Sequence, residues 1–328
     1  KKENDFDNLL ERNKEQKQEV EQLQEKFTKE FENLANKILE EKTNKFTEQN
    51  KKNLDLLLNP LHKKIESFEK KVETSQKESV GMHAALKQQL EGLKDALPLN
   101  ETDRAISFLP LCHVFERVVE YYYLFKGTSI YYAEGIEQIG DNLKEINPTV
   151  MPTVPRLLEK VYDKIVAKGS ELTGIKKGLF FWALNLGLRH ELDGKNGGWY
   201  EFQLKIANKL IFNKWREAVG GNMKYIFSGA AALQPRLARV FTAAQMPIYE
   251  GYGLSETSPV IAVNNTLPKG KCYGTVGKVI KGVEVKFGDD GEILCKGHNI
   301  MMGYYNKPEL TNEVIDKNGW FATGDIGE

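Results

Sequence analysis

Two short segments of the sequence combine side chains of several chemical kinds within a few positions. The first, Glu250-Gly-Tyr-Gly-Leu-Ser-Glu-Thr-Ser-Pro259, contains an aromatic ring, glycine amides, a hydroxyl and a carboxylate. The second, Gly319-Trp-Phe-Ala-Thr-Gly-Asp325, ends in a carboxylate on a Thr-Gly-Asp turn. A ring can stack on a base, amides can bind anionic oxygens, and carboxylates can hold Mg²⁺ or accept hydrogen bonds from ribose hydroxyls. Their order and separation favour a site for adenosine and a metal-bound phosphate.

The composition excludes several classes of protein. The formal net charge is zero, so the chain lacks the excess of Lys and Arg that nucleic-acid binding needs. Cys112, Cys272 and Cys295 lie far apart and show no metal-ligand spacing, so we expect buried, reduced thiols in a cytoplasmic protein. No apolar run approaches the roughly 18–20 residues of a transmembrane helix.

The chain divides near residue 94. All 28 glycines lie at or after Gly81, and the residues before it are dense in charge. Val20, Leu23 and Phe27 begin an apolar pattern with steps of three and four, which predicts a long helical segment over residues 1–94. A narrow apolar stripe on a polar helix suits a coiled coil that associates with itself through helix–helix contacts. A solvated, charge-rich helix without a specific partner is the alternative.

Three parts of this segment resemble the coiled-coil region of the DNA recombination protein RmuC. They are Phe31-Glu-Asn-Leu-Ala-Asn-Lys-Ile-Leu-Glu40, Leu57-Leu-Asn-Pro-Leu61 and Gly81-Met-His-Ala-Ala-Leu-Lys-Gln-Gln-Leu90. In that family a nuclease-like domain follows, and the sequence after residue 94 does not resemble it. The resemblance therefore implies helical association and no action on DNA.

From Asp95 onward, short apolar runs alternate with helical patterns. Ala105–Leu109 and Lys224–Phe227 are typical of strands, and Gln234–Ala244 is typical of a helix. This alternation predicts a layered α/β core over residues 95–273. After Gly274, short strands around the hairpin turn Gly288-Asp-Asp-Gly291 predict a small β subdomain over residues 274–328.

Residues 97–328 resemble the adenylate-forming (AMP-binding) enzymes, and most closely the long-chain fatty acyl-CoA synthetases. The motifs, in the order of that family, are Leu109-Pro-Leu-Cys-His-Val-Phe-Glu-Arg117, Phe227-Ser-Gly-Ala-Ala-Ala-Leu233, Gly251-Tyr-Gly-Leu-Ser-Glu-Thr257, Gly291-Glu-Ile-Leu-Cys-Lys-Gly297, Met302-Gly-Tyr-Tyr305 and Trp320-Phe-Ala-Thr-Gly-Asp325. The resemblance implies that a fatty acid reacts with ATP to give an acyl-adenylate and pyrophosphate. The thiol of coenzyme A then displaces AMP, and Mg²⁺ offsets the repulsion between the anions.

The resemblance also assigns residues to the adenine pocket. Tyr252, followed by Gly253, would stack on the base, and Gly229, Ala230 and Ala231 would present backbone atoms along its edge. Ordinary packing in the core is the alternative for Tyr252.

Four further residues would contact the rest of the substrates. Glu256 would bind Mg²⁺, and Ser255 would contact phosphate through the hydroxyl that the family usually supplies from Thr. Asp325 would accept both ribose hydroxyls, and His113 would form a wall of the acyl site. The structural alternatives are a helix-capping acid for Glu256, a turn residue for Asp325 and a core residue for His113.

The segment Ile175–Leu188 is apolar with basic edges. It could rest on a membrane surface, where a fatty acid partitions, which would make the protein membrane-peripheral. A helix packed on its own domain is the alternative.

Two elements of the resembled family are not visible in the sequence. One is a Ser/Thr/Gly-rich phosphate loop that ends in Lys-Gly and precedes the motif at Leu109, and the other is a C-terminal lid with an Arg and a Lys. We therefore expect a truncated core joined to a coiled coil, a fragment or chimera that is inactive as a ligase by itself. A coiled-coil interaction protein related to RmuC, with a relic globular half, is the alternative.

Overall fold

The computed structural model describes residues 25, 26, 28–30, 32, 33, 86–88, 90–94 and 97–327. The contacts divide the chain into one unit of residues 1–79 and a second unit of residues 80–328. In the first unit, the described residues are helical and exposed. Most of the predicted coiled coil lies outside the described residues, so the coiled coil and its resemblance to RmuC stay predictions.

A seven-stranded sheet organises the second unit. Its strands are β1 (Arg104–Ser107), β2 (Ser129–Tyr132), β3 (Val150–Thr153), β4 (Tyr225–Ser228), β5 (Ile248–Gly253), β6 (Val260–Val263) and β7 (Lys278–Val279). The order across the sheet is β2-β1-β3-β4-β5-β6-β7. The first five strands in this order pair in parallel, and β6 and β7 continue the sheet in antiparallel pairs.

Helices connect the parallel strands, and one further helix, the last of those named here, follows the large sheet. They are α1 (Val114–Lys126), α2 (Ile139–Ile146), α3 (Pro155–Ser170), α4 (Gly174–Leu188), α5 (Gly198–Ala207), α6 (Asn213–Ala218), α7 (Pro235–Ala243) and α8 (Pro308–Val314). A π-helical turn, Asn208–Phe212, joins α5 to α6, and short 3₁₀ turns lie at Leu192–Gly194 and Ser255–Thr257. The β–α alternation after residue 95 is thus confirmed, and the predicted layered α/β fold is observed.

The two faces of the sheet bury separate apolar clusters. Successive residues of a strand point to opposite faces, so Ile106 joins the cluster under α3, α4 and α7. Its neighbour Ala105 joins the cluster that contains Val118 and Val119 of α1. Both faces of a parallel sheet must be covered in this way, which explains the near-continuous apolar runs in the strands.

A second, antiparallel sheet has three strands, β8 (Val283–Phe287), β9 (Glu292–Gly297) and β10 (Phe321–Ile326), in the order β10-β9-β8. The predicted hairpin turn joins β8 to β9, where the amide of Gly291 donates to the carbonyl of Gly288 at 3.0 Å. Gly291 has φ +84°, a conformation that glycine adopts without steric cost. Strand β7 also follows Gly274, inside the range predicted for the small β subdomain. It pairs with β6 of the large sheet instead.

Residues 86–88 and 90–92 are helical and belong to the second unit. Leu90 and Leu93 are buried in the same cluster as Val118 and Val119. These residues precede the boundary that the composition suggested at residue 94, and they contribute to the core behind it.

Two expectations about side chains differ from the structure. Cys295 is buried in β9 as expected, but Cys112 and Cys272 are exposed because they lie in loops. In α4, which the sequence offered as a membrane-contacting segment, Phe180 and Leu184 pack into the core under the sheet. The apolar face of α4 is therefore largely covered by the protein itself.

Across the described part of the chain, we find no helix that combines the length and the apolar character of a membrane span.

Candidate functional site

A cavity of about 340 Å³ lies where β4 and β5 end. Ligands of open α/β sheets bind beyond the carboxyl ends of the strands, so this is the expected edge. Seven of the predicted site residues line the cavity: His113, Gly229, Ala230, Tyr252, Gly253, Ser255 and Glu256. Residues far apart in sequence are thus brought to one place.

The turn after β4 forms one wall of the cavity. Its Gly229 is buried, and a Cβ atom there would lie 3.2 Å from the ring of Phe115, at the first turn of α1. Ala230 follows with φ +68°, a left-handed conformation that is uncommon for alanine. The turn is therefore held close to α1, and both residues line the cavity. Ala231 is exposed and lies outside the residues that line the cavity.

Tyr252 and Asp325 meet at the edge of the cavity. Tyr252 lies on β5 of the large sheet and Asp325 on β10 of the small sheet. The tyrosine hydroxyl donates to Oδ2 of Asp325 at 2.8 Å. Burial, together with this bond to a carboxylate, raises the pKa of Tyr252 above its usual value, so the hydroxyl stays protonated and remains a donor. The bond fixes the position of the hydroxyl end of the ring.

Glu256 lies in the 3₁₀ turn after β5, and the loop around residues 301–304 holds it. The hydroxyl of Tyr304 donates to Oε1 of Glu256 at 3.1 Å, and the amide of Met301 donates to its carbonyl at 2.8 Å. Ser255, beside it, is exposed. Mg²⁺ usually takes one or two protein carboxylates and completes its shell with water and substrate phosphates. One carboxylate and one hydroxyl at the cavity fit that role.

His113 is exposed at the N-terminal end of α1 and caps the helix. Its Nδ1 atom accepts a hydrogen bond from the amide of Phe115 at 3.2 Å. His113 therefore has a structural task besides its place in the cavity wall.

Glu116 braces the loop that carries His113, although the sequence did not single it out. Its side chain is fully buried and accepts hydrogen bonds from the hydroxyl of Ser107 and from the amides of Phe108 and Leu109. Burial raises its pKa from 4.5 to about 7. Its Oε2 atom has no hydrogen-bond partner among the residues that the structure describes.

A second buried carboxylate, Glu250, supports the opposite side of the site. It precedes Gly251 on β5 and accepts a hydrogen bond from the amide of Leu233, in the turn after β4. Burial raises its pKa to about 7, and the positive charge of Lys271 opposes this rise. Burial also lowers the pKa of Lys271 to about 8; its Nζ atom donates to Oγ1 of Thr242 at 3.0 Å and lies 4.8 Å from the ring centre of Tyr249.

Sequence reasoning missed the residues that support the site. Phe115, Glu116 and Tyr304 lie inside motifs that were recognised, so their position in those motifs was the available signal. Glu250 begins the segment 250–259, so its position was a signal as well, whereas no motif contained Lys271 and their interaction joins elements distant in the chain. A larger opening, of about 930 Å³, is bordered by Gln88, Lys126 and Lys281 and contains none of the predicted site residues.

Comparisons with known proteins agree with this geometry. The family of AMP-binding enzymes matches residues 70–305. Long-chain-fatty-acid–CoA ligase ACSBG2 of Xenopus laevis is 33% identical over 72% of this chain and 33% of its own length. Long-chain-fatty-acid–CoA ligase 5 of Rattus norvegicus is 36% identical over 69% of this chain and 34% of its own length. The chain thus spans about a third of the length of these curated relatives.

Solved structures give the same fold. The N-terminal domain of FACL13 from Mycobacterium tuberculosis superposes with a TM-score of 0.52 at 19% identity, over 75% of this chain and 53% of that one. An identity this low shows the fold alone. The family match covers well over half of the sequence and contains most of the cavity, and the chain therefore belongs to the family of AMP-binding enzymes.

Proposed function

We propose that this chain carries the adenosine-binding part of a long-chain fatty acid–CoA ligase. The observation that carries the proposal is the bond between Tyr252 and Asp325, at the edge of a cavity that Gly229 and Ala230 also line. This arrangement offers a ring for the base and a carboxylate for the ribose. A carboxylate has two oxygens with two lone pairs each, so the bond to Tyr252 leaves Asp325 with free acceptor sites.

The cavity also contains an apolar side that suits a fatty acyl group. Leu97, Val118, Val119 and Val263 line it, and burial of methylene groups against such side chains is favourable by about 0.8 kcal/mol each. The acyl carboxylate would then lie near His113, between the apolar side and the nucleoside. This order of the groups supports the joining of a fatty acid to the α-phosphate of ATP.

In the proposed reaction, Glu256 and Ser255 would hold Mg²⁺ and a phosphate oxygen. When bound, the metal supplies positive charge that offsets repulsion between the fatty carboxylate and the phosphates. Coenzyme A would accept the acyl group in the second half-reaction. The names of the relatives support fatty acids and coenzyme A as substrates, and the free thiols of Cys112, Cys272 and Cys295 suit the cytoplasm.

We further propose that these 328 residues alone bind the nucleoside without completing the reaction. No Ser/Thr/Gly-rich loop ending in Lys-Gly occurs before Leu109. Loss of one preorganised group that stabilises charge costs about 10²–10³ in rate. An assay with ATP, Mg²⁺, palmitate and coenzyme A would then show no pyrophosphate release above the blank, and turnover that Glu256→Ala abolishes would contradict this.

Calorimetric titration with AMP tests the adenosine site directly. We expect AMP to bind at near-millimolar affinity, because the base and ribose contacts are present and the phosphate contacts are few. Tyr252→Ala should weaken binding about tenfold, since stacking of a base on an aromatic ring contributes about 1–3 kcal/mol. Tyr305→Ala is the matched control, because Tyr305 is 90% exposed and lies outside the cavity. Equal affinity for AMP in the Tyr252→Ala protein would contradict the assigned pocket.

A further inference from the structure

The loop after β9 holds the chain that follows β5 at three points. The side-chain amide of Asn299, a residue that is 1% exposed, donates to the carbonyl of Val260 at 3.0 Å. The amide of Met301 donates to the carbonyl of Glu256 at 2.8 Å. The hydroxyl of Tyr304 donates to Oε1 of the same glutamate at 3.1 Å. One loop therefore fixes both the backbone and the carboxylate of Glu256.

The position of Tyr304 within this loop is itself fixed by α8 and the residue before it. The amide of Tyr304 donates to Oγ1 of Thr311 at 2.9 Å, and its carbonyl accepts from the amide of Lys307 at 3.1 Å. The preceding Gly303 has φ +142°, and a Cβ atom there would lie 2.9 Å from the side chain of Thr311. Only glycine lets the loop approach α8 this closely. The hydroxyl of Tyr304 thus reaches Glu256 from a backbone that is held on both sides.

The hydrogen bond distinguishes the two oxygens of the Glu256 carboxylate. Oε1 accepts the proton of the phenol, whose pKa is ordinarily about 10, so the donor is present at neutral pH. A cation placed against both oxygens would compete with that proton for Oε1. Oε2 is therefore the oxygen that remains for a cation, and the carboxylate is prepared to bind it through one atom.

Binding through one oxygen suits Mg²⁺ better than Ca²⁺. Mg²⁺ requires near-ideal octahedral geometry and keeps several waters beside one or two carboxylates. Ca²⁺ takes about 6–8 oxygen ligands and often binds both oxygens of a glutamate. A donor that occupies one carboxylate oxygen therefore removes a ligand from Ca²⁺ and removes none from Mg²⁺.

We propose that Tyr304 is a positioning residue that makes the site at Glu256 selective for Mg²⁺ over Ca²⁺. The inference rests on the proposed function, in which Glu256 holds the metal beside the phosphates of ATP. Tyr304 acts through that carboxylate, because it is not among the residues that line the cavity. Groups that hydrogen-bond a metal ligand fix its orientation, and their loss typically costs about 10–100-fold in metal affinity.

Calorimetric titration of the full chain with ATP, in the presence of Mg²⁺, Ca²⁺ or EDTA, tests the proposal. The wild type should bind ATP more tightly with Mg²⁺ than with Ca²⁺. Tyr304→Phe keeps the ring and removes the donor, and it should lower the ratio of these two affinities about tenfold. Part of the change should be a gain in affinity with Ca²⁺, which a loss of local structure would not produce. The affinity for AMP without metal should stay the same, since AMP contacts Tyr252 and Asp325 in the proposed site.

Tyr305→Phe is the matched control, because this neighbouring side chain is 90% exposed and does not bond to Glu256. In a Glu256→Gln background, Tyr304→Phe should have no further effect, since the charged ligand through which it acts is gone. Circular dichroism confirms that each variant is folded.

Two results would overturn the inference and leave the proposed function intact. One is an unchanged ratio of affinities in Tyr304→Phe while AMP still binds, and the other is equal affinity of the wild type for ATP with Mg²⁺ and with Ca²⁺. Absence of AMP binding by the wild type would instead contradict the proposed function, and the inference with it.

Discussion

The hydrogen bond from Tyr252 to Asp325 joins the seven-stranded sheet to the three-stranded sheet across 73 positions of the chain. A nucleoside that contacts both residues would bind only while the two sheets keep the relative position that this hydrogen bond requires. The bond therefore links the position of the small sheet to the position of the hydroxyl end of the Tyr252 ring, and its strength can be measured.

We predict that Tyr252→Phe and Asp325→Ala are energetically coupled. Tyr252→Phe keeps the ring and removes the donor, and a hydrogen bond to a charged group contributes about 1.5–3 kcal/mol. Urea unfolding of the two single variants and the double variant should give a coupling free energy of at least about 1 kcal/mol. Strictly additive effects would show that the bond contributes nothing to stability.

His113 offers a way to separate a structural role from a substrate role. His113→Ala removes the side chain that accepts from the amide of Phe115 and should destabilise the fold by about 1 kcal/mol. His113→Ser supplies another capping oxygen and should restore most of that stability. If His113 also forms a wall of the acyl site, binding of a fatty acyl-adenylate analogue stays weak in both variants. Full binding by His113→Ser would leave capping as its only role.

Glu116 should make the free energy of unfolding fall as pH rises. Its pKa is raised from 4.5 to about 7 in the folded chain, so between these values the folded state holds more protons than the unfolded state. The free energy of unfolding therefore decreases as pH rises through this window, by about 3 kcal/mol at most from this group.

Glu116→Gln removes this dependence. The difference in unfolding free energy, variant minus wild type, should grow from pH 5 to pH 7 and then level off. Urea titrations at pH 5, 6, 7 and 8 measure it, with Ser107→Ala as a control that removes the neighbouring hydroxyl and keeps the carboxylate. Parallel pH curves for Glu116→Gln and wild type would show that this carboxyl does not titrate in the window.

The contributions of Lys271 and Glu250 to the free energy of unfolding should also depend on each other. Lys271→Met removes the charge that lowers the pKa of Glu250, along with the hydrogen bond to Thr242. We expect the free energy of unfolding to fall by about 2 kcal/mol at pH 8. Removal of one partner from a fully buried ion pair costs about 3–5 kcal/mol. The loss should be smaller here because Glu250 can take up a proton. Adding Glu250→Gln should recover part of the loss. A double variant as unstable as the sum of the two single variants would exclude this interaction.

Gly253 is constrained by space. A Cβ atom there would lie 1.6 Å from the carbonyl oxygen of Pro259, a backbone atom that cannot move aside easily. Gly253→Ala should cost at least about 3 kcal/mol. Gly251→Ala is the matched control, since its Cβ would meet nothing closer than 3.7 Å and should cost no more than about 1 kcal/mol. Thermal unfolding of both variants compares them, and similar melting temperatures would contradict the expectation.

Elements with strong local signals could be predicted from the sequence. The strand expected at Lys224–Phe227 spans Tyr225–Ser228, and the helix expected at Gln234–Ala244 spans Pro235–Ala243. The strand Ile248–Gly253 was not predicted, because it contains two glycines, which weaken intrinsic strand preference. Pairing with β4 and β6 imposes the extended conformation there.

For the candidate site too, the local motifs could be predicted from the sequence, and the contacts between distant residues could not. Motif order indicated which residues belong together, and the structure brings Tyr252, Glu256 and Gly229 to one cavity. Their chemical roles stay predictions. The burial of Glu116 and the interaction of Glu250 with Lys271 could not be predicted, because each depends on contacts between distant parts of the chain. The local sequence around a carboxylate does not determine how deeply the folded chain buries it.

The helical residues 86–88 and 90–92, together with Leu93, limit where the N-terminal segment can be exchanged. Leu93 lines the cavity itself, and Leu90 is buried in the core that supports it. A junction placed at residue 94 would remove both leucines and open the cavity to water from that side. A swap of the helical segment that preserves ligand binding must therefore join upstream of residue 86, and a recombination event that kept the pocket would face the same constraint.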